Sequence, residues 1–377
     1  MSNCNKLNNF WFFLFTFCVG LIYLVFTKNI FLAIVFIFCF ITCLCFKIQI
    51  KKIILIILIA IFFLILAFIY KKFEIDKLTF KKLLDLIPEE FNLRKLLIKQ
   101  VQQYNNLKIS NLLLLIVFNE KTSFLNEFYK KIVNIGIVHL VVISGLHLNL
   151  INTLILKIFK KYLRISQILS LFIILIYSYF LNFSFGVIRV VISIFIGAFF
   201  CKKQSNKDLL TTTSLSGLIT LCLNPHSIFN LNFQLSYLSI FAICFANKIP
   251  YINKWLIGFV SSFLINMLIG PVILSMNSKI SLLTIFNSWI LSPIIMFYYI
   301  FSLLIFWLPF TWNFFSFIYD FLFFLINNLN EIQIFLFLDI KKINSILIYI
   351  YYLFFLLSFI FLNVNEKVTH KNLKYIK

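Results

Sequence analysis

Charge is what this sequence has least of. Only 12% of the 377 residues are charged, and 12 acids stand against 34 lysines and arginines. A soluble domain of this length uses charge at about twice that level to cover its surface, so a water-soluble globular fold is excluded. Arginine is scarcer still, with Arg94, Arg164 and Arg189 alone. The formal charge of +22 therefore rests on lysine. Heavy use of Lys, Asn, Ile and Phe also fits an AT-rich coding sequence, so the charge by itself is weak support for a nucleic-acid partner.

Glycine is rare as well, and none of the eight is followed by lysine. A phosphate-cradling Walker loop needs that pair, so any ATP-driven step belongs to another protein. The eight cysteines form no CxxC pair, and no histidine stands at zinc-ligand spacing from them. Neither a disulfide framework nor a metal site is expected, and no cofactor. The first apolar run, from about residue 10, has no small-residue cleavage site after it and reads as a retained helix.

Hydrophobic runs fill the rest, at 62% apolar residues and a mean hydropathy of +1.01. A bilayer core takes roughly 20 apolar residues per helix. Windows of about that size lie at 10–27, 30–46, 53–70, 132–156, 165–182, 186–200, 209–223, 231–247, 255–275, 281–306, 310–327 and 344–363. The fold class that follows is an all-α polytopic integral membrane protein of about 10–12 transmembrane helices. Two of the shortest windows, 186–200 and 209–223, are where a broken helix or cavity is expected.

Basic residues in short loops set the orientation. With the N-terminus inside, 17 of them face the cytoplasm and four (Lys28, Lys279, Lys341, Lys342) face out. The expectation is N-in/C-in. Residues 1–70 form N-terminal transmembrane helices, 71–131 an extracytoplasmic linker, 132–363 a transmembrane core and 364–377 a cytoplasmic basic tail. Within the linker, Leu93, Leu97, Val101 and Tyr104 recur at helical spacing, which predicts an amphipathic helix on the membrane or on the bundle. The run "LLLLIVF" at 112–118 is too short to cross and is expected to re-enter or to pack on the bundle.

The few polar groups inside apolar sequence concentrate at "HLVVISGLHLNL", His139 to Leu150. Ser144 and His147 are three apart, but a serine–histidine dyad needs an orienting partner. The other mid-chain histidine, His226, follows Pro225 in a predicted loop. Tyr319-Asp320 is half of an aspartyl-protease pair without its second carboxylate. No catalytic residue is assigned. His139 and His147 diverge by about 80° on a straight helix, and no acid or cysteine stands near to complete a metal site. Arg189, in "FGVIRVVI", costs about 2.5–3.5 kcal/mol to insert. Two readings fit it: a side chain facing a cavity or partner, where it suits phosphate, or one that snorkels to the interface. In "LNPHSIFNLNFQLSYLSI", Pro225 ends one helix, and Phe233, Gln234 and Ser236 open the next, where Gln and Ser serve equally well for interhelical hydrogen bonding.

Taken in order, these stretches resemble one family. "HLVVISGLHLNL" is similar to the H-L-x-x-I-S-G-L-H motif of the ComEC-type DNA-uptake family, the membrane channel of bacterial competence. Upstream, "LLLLIVFNEKTSFLNEFYKKIVNIGIVH" resembles the family's approach to that motif, with Asn119-Glu120 where Gly-Asp is common. Downstream, Arg189 resembles the arginine of its x-R-A helix, with Val190 for alanine. "NPHSIFNLNFQLSYLSI" resembles its N-P…G-F-Q-L-S segment, with Asn232 for glycine, and "FNSWILSPI" resembles the N-x-x-x-x-P helix through Asn287 and Pro293. The likeness covers about residues 105–300. Larger members carry an OB-like domain, for which residues 71–110 are too short and strand-poor. Many also carry a metallo-β-lactamase-like nuclease with an H-x-H-x-D-H motif, where this chain has only His370 after its last apolar window.

What the resemblance implies is a non-enzymatic channel or permease in the cytoplasmic membrane, multi-pass, moving single-stranded DNA inward. His139, Ser144, Gly145, His147, Arg189, Phe233, Gln234 and Ser236 would line the path, with Phe183 and Phe185 near it for base stacking. Pro225, Asn287 and Pro293 would break helices. A separate nuclease and a cytoplasmic motor or helicase would be partners beside the lipid bilayer, and self-association fits the family. The competing expectations are a small-solute or lipid transporter on the same helices and a structural remnant that transports nothing.

Overall fold

The computed structural model describes residues 2–27, 50–73, 88, 90, 92–103, 106–120, 122–137, 140, 145–160, 162–200, 206–247, 249, 253–276, 279–281, 283–305, 312–333, 335–337, 351–352 and 354–355. The helices are α1 Ser2–Thr27, α2 Ile50–Lys72, α3 Leu93–Gln102, α4 Leu107–Phe118, α5 Asn126–Asn134, α6 Gly145–Ile158 and α7 Leu163–Phe180. They continue with α8 Phe185–Phe200, α9 Asn206–Leu223, α10 Leu231–Ala246, α11 Lys254–Met276, α12 Thr284–Ile305 and α13 Trp312–Glu331. The all-α class holds. Its one addition is a small antiparallel ribbon of β1 Lys279–Ser281 with β2 Phe335–Phe337.

Among the described residues, four helical stretches are long and apolar enough to cross a bilayer: Phe10–Thr27, Ile54–Lys72, Leu256–Leu274 and Thr284–Ile305. On α2, Ile54, Leu58, Phe62, Ile65 and Phe68 are all exposed, an apolar face of the kind a membrane-spanning helix presents. The windows 30–46 and 344–363 fall largely outside the described residues.

The window 132–156 is not one helix. Helix α5 stops at Asn134, and Gly136 takes φ +79° behind it. The Ile137 N–H then donates back to the Ile132 carbonyl, closing a left-handed helix end that glycine alone enters without a Cβ penalty. Helix α6 starts afresh at Gly145. The window 209–223, by contrast, stays continuous as α9. Its hydroxyls face their own backbone: Thr213 donates to the Leu209 carbonyl, Ser214 to Leu210 and Thr220 to Ser216, at 2.6–2.7 Å. Bonds of that kind satisfy a hydroxyl inside a helix without breaking it.

The chain folds into two compact units that interleave in sequence. One comprises residues 1–77, 199–276 and 339–377, and the other residues 78–198 and 277–338. In the first, α1 packs on α9 and α2, and α10 on α11. Gly217 of α9 lets α1 approach closely: a Cβ there would lie 2.2 Å from the Phe15 ring. In the second, α4 is the centre. Every residue from Ile109 to Phe118 is buried, packed with α12 and α13, so "LLLLIVF" is a core helix of the bundle.

Helix α4 is capped at both ends by asparagine. The Asn106 side chain accepts from the Lys108 and Ile109 N–H groups, and Asn119 holds the left-handed position at φ 54°. The amphipathic helix α3 forms as expected and buries Val101 and partly Leu97. Leu93 does not join that stripe and is exposed, while Ile98 packs beside Leu97 against the core. Tyr104 lies outside the described residues.

Candidate functional site

A set of polar groups in the second unit meets between α6, α7 and α12, with one bond to α4. His147 sits in the first turn of α6, 1% exposed. Its ring meets that of Tyr299 on α12 at 4.4 Å and 61°. Tyr299 lies 6.5 Å, ring to ring, from Tyr177 on α7, whose hydroxyl donates to the Val117 carbonyl of α4 at 2.9 Å. A line of polar aromatic groups thus crosses four helices. The hydroxyls of Tyr298 and Tyr299 are buried without a well-formed hydrogen bond among the described residues. On the lower flank Ser170 donates to Asn152 at 2.5 Å, tying α7 to α6.

Arg189 lies on α8 between Val187 and Val190, which belong to the same core. The arginine itself is 4% exposed. Its side chain is thus covered by the protein rather than exposed on the surface of the unit.

Asn287 and Pro293, expected to be helix-breaking or structural, both lie within the continuous α12. Asn287 is a tie: its Nδ2 donates to the Ile135 carbonyl at 3.0 Å and to Gln333 Oε1 at 3.1 Å. That holds the open end of α5 against α12, with Gly136 pressed on Thr284. Pro293 removes one backbone bond without ending α12, which packing against neighbouring helices tolerates. Pro225 does act as a stop, opening a 3-10 turn over Pro225–Phe229 after α9.

Three further candidates, Phe233, Gln234 and Ser236, lie in the first unit. Phe233 is buried in an aromatic group, 4.4 Å from the Tyr237 ring and 6.5 Å from that of Phe15. Gln234 Nε2 donates to the Ile228 carbonyl at 2.9 Å, and Ser236 is half-buried one turn before Ser239, whose hydroxyl donates to its carbonyl. The His226 ring packs on Phe26 at 4.4 Å. His139 and Ser144 lie outside the described residues, while Gly145 is the first residue of α6. Phe183, near the proposed path, has φ 43° in the α7–α8 turn. Tyr319 stacks on Phe128 and Phe323. Among the described residues no group of three or more His, Cys, Asp or Glu stands placed to hold a metal ion.

Two features escaped sequence reading. Tyr177 and Tyr299 carried no signal in a chain with 16 tyrosines. Arg94 did carry one, as one of three arginines. Its Nε donates to the Phe180 carbonyl at 2.8 Å and its Nη2 to Glu120 at 2.5 Å. Asn119-Glu120, the departure from Gly-Asp, supplies a left-handed helix end and the acid that Arg94 pairs with.

The fold defines a polytopic all-α membrane protein with a buried polar cluster in its second unit. The family model described as Competence protein matches residues 116–364, and the chain belongs to that family. It is 33% identical over 213 residues to the protein MG316 of Mycoplasma genitalium, covering 56% of this chain and 55% of that one. The MG316 homolog of Mycoplasma pneumoniae is 29% identical over 223 residues, 57% of this chain and 58% of its own. The chain thus spans a little over half the length of these curated relatives. No solved structure matches it.

Proposed function

We propose that this chain is the membrane core of a DNA-uptake channel, passing single-stranded DNA inward across the cytoplasmic membrane. The observation that carries the reading is Arg189, a cation held inside the family-matched region at a cost of about 2.5–3.5 kcal/mol. A phosphate backbone is the substrate chemistry that such a planar, permanently charged group serves best. His147 and Tyr299 supply aromatic faces and hydrogen-bonding edges of the kind that let a strand move without sequence preference. At 1% and 0% exposure the two rings are closed on each other, so passage requires α6 and α12 to part. A nuclease that yields the single strand and a cytoplasmic motor complete the scheme as separate proteins, and the N-terminus faces the cytoplasm.

Uptake of labelled single-stranded DNA by cells with and without the chain tests this. Uptake is expected to need the chain and to fall roughly ten-fold or more with Arg189→Ala at equal membrane levels, as truncating a buried charge contact does. Arg189→Lys, with the charge but without the fork, should lie between. Uptake indifferent to the chain would leave a solute or lipid carrier, or a non-transporting remnant, as the better account.

A further inference from the structure

Helix α11 runs unbroken from Lys254 to Met276 with Pro271 inside it. Proline has no N–H, so the Met267 carbonyl, four residues back, loses the donor that a helix normally gives it, and the proline ring crowds that carbonyl. Gly270 stands just before. Glycine and proline are the two poorest helix formers, so this pair is the weak point of the 23-residue helix. It lies in a stretch apolar enough to cross a bilayer, where a freed carbonyl needs a partner from a neighbouring segment because water is excluded.

Two hydroxyls of the same unit reach that point. Tyr351 donates to the Met267 carbonyl at 2.8 Å, and Tyr352 to the Leu268 carbonyl at 2.9 Å. The first bond replaces the one that Pro271 removes; the second engages the next carbonyl of the same turn. Packing sets both rings in place. Tyr352 and Phe355 lie against the cluster of Ala242, Ala246, Leu264 and Leu268 that joins α10 to α11, and Tyr351 is 5.1 Å, ring to ring, from Phe355. That cluster holds α11 as far as Leu268, whereas residues 271–274 are only half-buried. The end beyond the proline leads to Asn277, where the chain passes into the second unit.

We propose that Gly270-Pro271 is a hinge in α11, that the hydroxyls of Tyr351 and Tyr352 latch it closed, and that their release lets residues 272–276 swing away from the first part of the helix. The test is hydrogen exchange along α11 in the full chain, held in lipid nanodiscs. Tyr351→Phe together with Tyr352→Phe keeps both rings and removes both hydroxyls. Exchange at 272–276 should quicken roughly ten-fold or more, as the loss of a donor to a buried carbonyl implies, while the amides of 254–266 keep their native rates. Pro271→Ala gives Met267 its helical donor again, so on that background the same tyrosine changes should alter exchange by less than about two-fold. Native rates at 272–276 in the double phenylalanine variant, or an equal quickening with and without Pro271, would overturn the latch. So would a quickening spread evenly along α11, since the hydroxyls would then hold the whole fold and no hinge. The latch involves neither Arg189 nor a DNA strand, and it stands or falls apart from the DNA-uptake reading.

Discussion

Gly136 has two independent reasons to be glycine. Its φ of +79° is one that a side chain resists, and a Cβ there would meet Thr284 Oγ1 at 2.3 Å. Gly136→Ala should therefore cost more than about 1 kcal/mol, read as a lower unfolding midpoint of the solubilised protein. Asn119, at φ 54°, is the gentler case, since asparagine enters the left-handed region more readily than most residues. Asn119→Gly should leave stability nearly unchanged, whereas Asn119→Val should lose about 1–2 kcal/mol, because a β-branched residue enters the left-handed region at that cost. Equal midpoints for the glycine and valine variants would show that this conformation does not matter. Neither position could be ranked from sequence. Asn119 stood out only as a departure from Gly-Asp, and Gly136 looked like any glycine in a long apolar window, since what singles it out is the approach of α12.

At the scale of elements, apolar windows found the helices well because lipid asks for little else than length and hydropathy. They failed where a polar detail decides. The run 132–156 looked unbroken because Ile135 and Ile137 are as apolar as a helix interior, yet a left-handed glycine lies between them. The run 209–223 looked broken because its hydroxyls read as polar, yet they bond within α9. Arg94 shows what joins elements. It holds the ends of α4 and α7 together through one guanidinium that reaches a carbonyl and a carboxylate at once. Arg94→Lys keeps the charge but lacks the fork, so it should destabilise the protein nearly as much as Arg94→Ala. Glu120→Gln should cost less, since an exposed carboxylate contributes modestly and its amide oxygen still accepts. Midpoints measured for the three variants check the order; a lysine variant as stable as the native protein would mean that charge alone suffices. In the other unit, Gly217→Val places branched carbons into the Phe15 ring and should separate α1 from α9.

For the whole molecule the question is sidedness. Counting basic residues places 71–131, the α7–α8 turn, 276–283 and 328–343 on one side. Within the second unit those segments do touch: Lys131 donates to Asn327 at 2.8 Å, Asn287 to Ile135, Arg94 to Phe180, and β1 pairs with β2. In the first unit, Lys71 donates to the Val25 carbonyl and Tyr70 to that of Leu223, joining ends that the same count places together. The vulnerable step is α6. Its 14 residues span only about 21 Å, short of a full crossing by itself, and the stretch before it begins behind the stop at Gly136. If α6 enters and returns, every later loop changes side. An epitope inserted after Gln103 should be reached by antibody on intact spheroplasts, whereas one after Lys160 should be reached only once the membrane is opened. Equal access to both would make α6 re-entrant and put the tail with its lysines outside, against the basic-residue rule. Inverted access would keep the crossing but reverse the sidedness of every helix, and with it the direction of the proposed passage.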